Sequence, residues 1–288
     1  MKLDEHFYLR DYIKSKDYVK SPFRYAGGKF YALKHILPYI DCVEYDEYRE
    51  PFVGGGSIFF AKQKSKYNWI NDLETKMIQI YQALSDESMV MELCSMLEGE
   101  VASKERHEEV KNMLPNGFIE EVFQTYYLNR TSYCGIINSP AWGYCDGKSS
   151  PPSNWGKFLR SVNPKLQGVK ITSMDFSEVI TAEKQGNKVL MYLDPPYYKA
   201  DQKRAYTKPF AVEDHIRLCE LLKQTSHYFC LSYDNVEEVK ELYDWAYIYE
   251  KSWLYNTANK QGESRDLGAE LIITNYEVRP NQSLLFEP

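Results

Sequence analysis

Apolar positions follow two periods along this chain, a helical one and a short-strand one, and their order is the first clue to its architecture. "SPFRYAGGKFYALKHILPYI" (21–40) is a Gly-Gly turn running into an amphipathic helix that Pro38 is expected to end. "REPFVGGGSIFFAKQ" (49–63) has a short apolar run, three consecutive glycines, Ser57 and then helix-compatible residues. "KYNWINDLE" (66–74) is a short strand that stops at Asn71-Asp72. Strand, glycine loop, helix, strand and acid form the front of a nucleotide-binding α/β unit.

From 75 to about 128 the pattern turns helical, in "TKMIQIYQALSD", "MVMELCSMLEG" and "FIEEVFQTYYLNR". Residues 129–165 are rich in Gly, Ser, Pro and Asn, with Trp142 and Trp155 interspersed, and are expected to be loop. Strands and helices then alternate again: "VKITSMDF", "FSEVITAEKQG", "KVLMYLDPP", "AVEDHIRLCELLKQT", "YFCLSYD" and "VEEVKELYD". "WAYIYEKSWLY" and "AELIITNYEV" have no helix between them and are expected to close the sheet as an antiparallel hairpin. At 288 residues the chain can bury a sizeable core, as one large α/β domain or as a catalytic domain with a smaller insertion.

Composition narrows the class. No apolar signal core opens the chain and no apolar run reaches spanning length, so no membrane partner is expected and an intracellular, cytoplasmic setting is. The six cysteines are scattered without a CxxC pair, and no His or Cys stands at zinc spacing beside them, so reduced thiols and no metal are expected. A net charge of −6 argues against a polyanion partner, but residues 41–121 carry 17 acids against 8 bases. Residues 129–170 reverse that balance, with Asp146 against Arg130, Lys148, Lys157, Arg160, Lys165 and Lys170. Such a stripe is either solvated surface or a polyanion-binding face.

The glycine loop lacks the third glycine of a dinucleotide fingerprint. Gly54, Gly55 and Gly56 followed by Asp72 at the end of the next strand suit a nucleoside ligand without a phosphate cradle, which is to say S-adenosylmethionine with the acid on its ribose. A tight turn beside a solvated acid is the bland alternative. The second constellation is "VLMYLDPPYY". Adenine's exocyclic amine is a poor nucleophile because its lone pair is delocalised into the ring. An enzyme that alkylates it needs acceptors for both N–H protons. Asp194 offers a carboxylate oxygen and Pro195 a carbonyl fixed outward by two prolines. Pro196 stops the strand at the carboxyl edge of the sheet, and Tyr197 offers a ring for a base to stack on.

Together with "YAGGKFYALKHI", "EPFVGGGSIFF", "NDLE" and "YYLNRTSYCGI", these segments resemble the Dam-type (D12 class) adenine-specific DNA methyltransferases over most of the chain. The resemblance implies a seven-stranded Rossmann-like α/β fold, mostly parallel with an antiparallel C-terminal hairpin, over residues 1–75 and 165–288. A mostly helical target-recognition insert would occupy 76–164. It also implies a cofactor pocket that adds Tyr25, Gly28, Lys29 and Phe52 to the glycine loop, with Lys29 on the cofactor carboxylate and Asp175 with Phe176 holding its adenine. Tyr133 would wedge into double-stranded DNA as the base flips, with Arg130, Ile136, Asn138, Lys148, Lys157 and Arg160 in the DNA-binding set. Tyr25 replaces the family's usual Trp, and Asn138 stands where GATC-reading relatives carry Arg, so a strict GATC target is not expected. A cognate restriction enzyme acting separately is compatible with this reading. The competing readings are a cytosine-amine methyltransferase, an RNA or protein-amide methyltransferase, a catalytically silent DNA-binding module and a nicotinamide-using Rossmann protein.

Overall fold

The computed structural model describes residues 18–25, 28–199, 210–254 and 267–278. Among them seven strands form one sheet: β1 (Glu47–Glu50), β2 (Tyr67–Asn71), β3 (Lys170–Thr172), β4 (Val189–Leu193), β5 (Tyr228–Asp234), β6 (Tyr247–Leu254) and β7 (Leu267–Thr274), in the order β3-β2-β1-β4-β5-β7-β6. The first five in that order pair in parallel, whereas β7 lies antiparallel between β5 and β6. The seven-stranded fold and its closing hairpin are therefore as expected. Strand order reverses between β1 and β4, and at such a switch point a crevice opens outside the carboxyl ends of the strands. The glycine loop follows β1 and the Asp194 turn follows β4, so the two constellations face each other there.

β4 is buried throughout and distributes its side chains with the period of a strand. Leu190 and Tyr192 join the core that also holds Tyr48, Ile70 and Ile272, while Val189, Met191 and Leu193 join the core on the other face with Phe229, Leu231 and Ile273. Helices α1 (Leu33–Asp41) and α2 (Ser57–Ala61) pack into the first core, as does the helical block α3 (Thr75–Ser85), α4 (Glu87–Met96), α5 (Lys104–Lys111), α6 (Phe118–Thr131) and α7 (Trp155–Leu166). The second core is covered by α8 (Phe176–Thr181), α9 (Val212–Gln224) and α10 (Glu237–Leu242).

Two expectations are corrected. Pro38 lies inside α1, which continues to Asp41 with Tyr39 and Ile40 buried. A proline there removes one bond, to the Lys34 carbonyl, and burial of the final turn outweighs it. Residues 129–165 are not all loop, because Trp155 begins α7. Trp155, Leu159, Val162 and Leu166 are all buried at spacings of four, three and four, a stripe that Pro151, Pro152 and Gly156 hide from a composition-based reading. α5 falls within the stretch read as helical although its own apolar signal is slight: in "KERHEEVK" only His107 and Val110 are buried, and its start is fixed by Ser103, which accepts from the Arg106 amide at 3.0 Å. Among the described residues no helix is long and apolar enough to cross a membrane, and no group of His, Cys, Asp and Glu is placed to hold a metal ion.

Candidate active site

The glycine loop is held by its neighbours on every side. Gly54 and Gly56 adopt positive φ (44° and 68°), and a Cβ on Gly55 would stand 2.8 Å from the Cβ of Tyr25. The Gly54 amide donates to Asp72 Oδ2 at 2.7 Å and its carbonyl accepts from the buried Tyr81 hydroxyl at 2.8 Å. Asp72 Oδ1 accepts from the Glu74 amide at 2.9 Å. Each carboxylate oxygen thus takes one amide and keeps acceptor capacity. Burial pushes the Asp72 carboxyl upward, with those amides working against it.

Lys29 is buried at the start of a 3-10 turn (Lys29–Ala32). Its ammonium lies 2.9 Å from Asp194 Oδ1, donates to the Tyr197 hydroxyl at 2.6 Å and stands 3.9 Å from Glu270 Oε2. It also sits 4.6 Å from the Tyr197 ring centre. Asp194 Oδ1 takes a second bond from the Ser232 hydroxyl at 2.9 Å, and Ser232 lies 2.9 Å from the Tyr192 hydroxyl. Two donors therefore fix one oxygen of Asp194, and among the described residues Oδ2 carries no hydrogen bond. The turn beyond is held by Asp234 at the end of β5, which accepts from the Tyr198 and Lys199 amides at 2.9 and 3.0 Å.

Asp175 and Phe176 begin α8. Asp175 caps it through the Ser177 amide at 2.9 Å, and the Phe176 ring packs 5.3 Å from that of Phe52 and 5.6 Å from that of Phe210. Burial acts to raise the Asp175 carboxyl, but hydrogen bonds from Arg217 and Ser177 outweigh it and hold the group below its ordinary range.

The predicted recognition residues separate into two groups. Tyr133 is 52% exposed, in a turn (Tyr133–Gly135) whose Cys134 and Gly135 both have positive φ. Its amide donates to the Ala141 carbonyl at 2.8 Å, and a Cβ on Gly143 would lie 2.3 Å from its Cα, so the ring is presented from a closed hairpin. Lys148, Lys157 and Arg160 are exposed. Arg130 is buried, with its guanidinium about equally far from the Trp155 and Phe158 rings (6.0 and 5.9 Å), and the Lys165 ammonium is buried on the Lys62 carbonyl. Ile136 and Asn138 are half-buried, and Asn138 donates to Glu74 Oε2 at 3.1 Å.

The family model of the D12 class N6 adenine-specific DNA methyltransferases matches residues 25–257. The chain belongs to this class. Among similar curated proteins, the type II methyltransferase M1.LlaDCHI of Lactococcus lactis subsp. cremoris is 29% identical over 88% of this chain and 94% of its own. M.MjaIII of Methanocaldococcus jannaschii is 29% identical over 90% of this chain and 99% of its own, and M.CviBI of Paramecium bursaria Chlorella virus NC1A is 23% identical over 88% and 98%. This D12-class protein is accordingly an enzyme, an adenine-specific DNA methyltransferase.

Several residues around the site of this D12-class enzyme were missed from sequence. Ser232 and Tyr192 are ordinary strand residues, and only the register that sets Leu193 beside Leu231 carries Ser232 to the level of Asp194. Glu270 sits in an otherwise apolar strand, and an acid preceding "LIIT" was its one signal. Asp234 closes "YFCLSYD" as Asp72 closes its strand, which could have marked it.

Proposed function

We propose that this enzyme methylates the 6-amino group of an adenine turned out of duplex DNA, with Asp194 Oδ2 and the Pro195 carbonyl as the two acceptors for that amine. The observation that carries this is the fixing of Asp194 Oδ1 by Lys29 and Ser232, which leaves the other oxygen for the substrate at the edge of the crevice. Accepting both N–H bonds draws the nitrogen toward tetrahedral geometry and localises its lone pair. Alignment and hydrogen bonding then supply the catalysis, and the proton can leave after transfer. Tyr197 lies in the same turn and would stack on the extruded base, while the exposed Tyr133 would fill the space left in the duplex.

The residues fit S-adenosylmethionine. Asp72 keeps acceptor capacity for ribose hydroxyls, the Gly54–Gly56 loop offers no phosphate cradle, and Phe52 and Phe176 form an apolar wall next to the Asp175 carboxylate for an adenine. Tyr25 and Gly28 close the same loop from the N-terminal side. Lys29, at the start of its 3-10 turn, would meet the cofactor carboxylate. When bound, the cofactor supplies a methyl group activated by a sulfonium.

Lys148, Lys157, Arg160, Ile136 and Asn138 complete the DNA face in this proposal, whereas Arg130 is too buried to meet a phosphate. With Asn138 in place of an arginine, no guanidinium in this loop demands the guanine of GATC. The test is methylation of a randomised duplex library, read by modified-base sequencing and by weighing the methylated nucleoside. Wild type is expected to yield N6-methyladenine at a consensus other than strict GATC. Asp194→Ala is expected to yield almost none while still binding cofactor and DNA. Turnover within roughly tenfold of wild type overturns the role of Asp194, and a strict GATC consensus overturns the inference from Asn138.

A further inference from the structure

Arg217 lies on α9 and has no role in the chemistry above. Its Nη1 donates to Asp175 Oδ1 at 2.8 Å and its Nη2 to Oδ2 at 3.0 Å, a fork on both oxygens. Nη2 also reaches Asp214 Oδ1 at 3.0 Å, and Asp214 Oδ2 accepts from the Ala211 amide at 3.0 Å, so the guanidinium is itself fixed to the start of its helix. The same guanidinium stands 4.3 Å from the centre of the Phe176 ring.

One arginine therefore touches both members of the acid-aromatic pair. An aspartate that only caps a helix needs no such partner, because Ser177 already supplies its amide at 2.9 Å and its hydroxyl at 2.5 Å, both to Oδ1. With Arg217 added, Oδ1 receives three donors and Oδ2 one. A carboxylate has about four lone-pair sites, so the remaining acceptor capacity is concentrated on Oδ2.

We infer that Arg217 is a positioning residue of the cofactor's adenine subsite: it turns the Asp175 carboxylate so that Oδ2 is presented to the cofactor's 6-amino group, and it holds the Phe176 ring beside Phe52 as the wall. This rests on the proposal that Asp175 and Phe176 receive that adenine. The subsite would then read the amino group of the cofactor itself, so a 6-oxo purine in its place would meet a second acceptor where a donor is required.

The test is calorimetric titration of the full chain with S-adenosylhomocysteine and with S-inosylhomocysteine, its 6-oxo counterpart, beside thermal denaturation. Wild type is expected to prefer the 6-amino form. Arg217→Ala should weaken that form by roughly tenfold or more, the scale of one charge-assisted hydrogen bond, with little change for the 6-oxo form. KM for S-adenosylmethionine should rise by more than kcat falls. Arg217→Lys keeps the charge but not the fork, and is expected to lose the preference while melting near the wild-type temperature. If either variant discriminates as well as wild type, or if both ligands weaken equally as the melting temperature falls, Arg217 is only a staple between α8 and α9 and the inference is overturned. A wild type that binds S-adenosylhomocysteine but ignores its 6-amino group overturns the placement of the adenine, and the inference with it.

Discussion

Asp194 lies close enough to two other buried carboxyls, Glu50 and Glu270, to repel them, and sequence motifs did not draw the three together. Burial pushes Glu50 up to about 8, against the hydrogen bond it accepts from Tyr48 at 2.8 Å, and burial pushes Glu270 up to about 7, although Lys29 pulls it down. Both values exceed the ordinary value of 4.5, so the folded protein binds more protons than the unfolded chain between there and about 8. Their contribution to stability is therefore full below about pH 4.5 and is lost as pH rises through 7 and 8. Glu50→Gln keeps an acceptor for Tyr48 and removes one of the two titrations. Its urea midpoint should fall less between pH 5 and pH 8.5 than that of wild type, by on the order of 1–3 kcal/mol in unfolding free energy. Parallel pH profiles would show that Glu50 does not titrate over this range. Lys29, Asp72 and Asp194 were legible as candidates because a strand end or a glycine turn announces each one. Ser232 and Glu270 were not, because strand register sets their proximity to Asp194 and no local pattern records it, and Tyr192, two residues before Asp194, reads as an ordinary core position.

Hydrophobic period served well for elements where burial is two-sided or striped, and failed where charge is buried. β1 reads Glu47-Tyr48-Arg49-Glu50 and is wholly buried inside the sheet, between β2 and β4. It is possible because Arg49 pairs with Glu47 at 2.7 Å and donates to the carbonyls of Val179, Ala182 and Glu183 at 2.8 to 2.9 Å, satisfying the end of α8. A second polar device joins α6 to the segment that precedes Lys29. Asn129 at the end of α6 accepts from the Arg24 amide at 3.1 Å and donates to the carbonyls of Arg24 and Gly135, both at 2.8 Å. It ties the segment leading to Lys29 against the Tyr133 turn, where a Cβ on Gly135 would come within 2.0 Å of the Arg24 carbonyl. Asn129→Ala leaves these three groups unpaired in a buried place and should destabilise the fold by about 2–4 kcal/mol in urea unfolding, given about 1–3 kcal/mol for each unsatisfied group with partial access to water. Loss of less than about 0.5 kcal/mol, the scale of an ordinary surface substitution, would show that the segment finds other partners.

At the scale of the whole molecule, a chain of net charge −6 must meet a polyanion through a local face. The stripe from 129 to 170 contains six bases, but Arg130 and Lys165 are buried, and Lys170 stands 3.4 Å from the Trp69 ring centre on the edge strand β3. Charge counting along the sequence therefore overstated the face, because a buried guanidinium packed among aromatic rings and an exposed one read identically as letters. Lys148, Lys157 and Arg160 remain exposed. If they meet phosphates, each contact releases counterions and steepens the salt dependence of binding by about 0.9 in log K against log salt. Replacing all three by alanine should weaken binding to every duplex sequence and flatten the slope by up to about 3, leaving base preference unchanged. Arg130→Ala should behave in the opposite way, lowering the melting temperature through loss of its packing against Trp155 and leaving the slope close to wild type. Fluorescence anisotropy on one duplex at several salt concentrations measures both. Equal slopes for wild type and the triple variant would mean that DNA approaches by another surface, and a flattened slope for Arg130→Ala would mean that this side chain emerges when DNA binds.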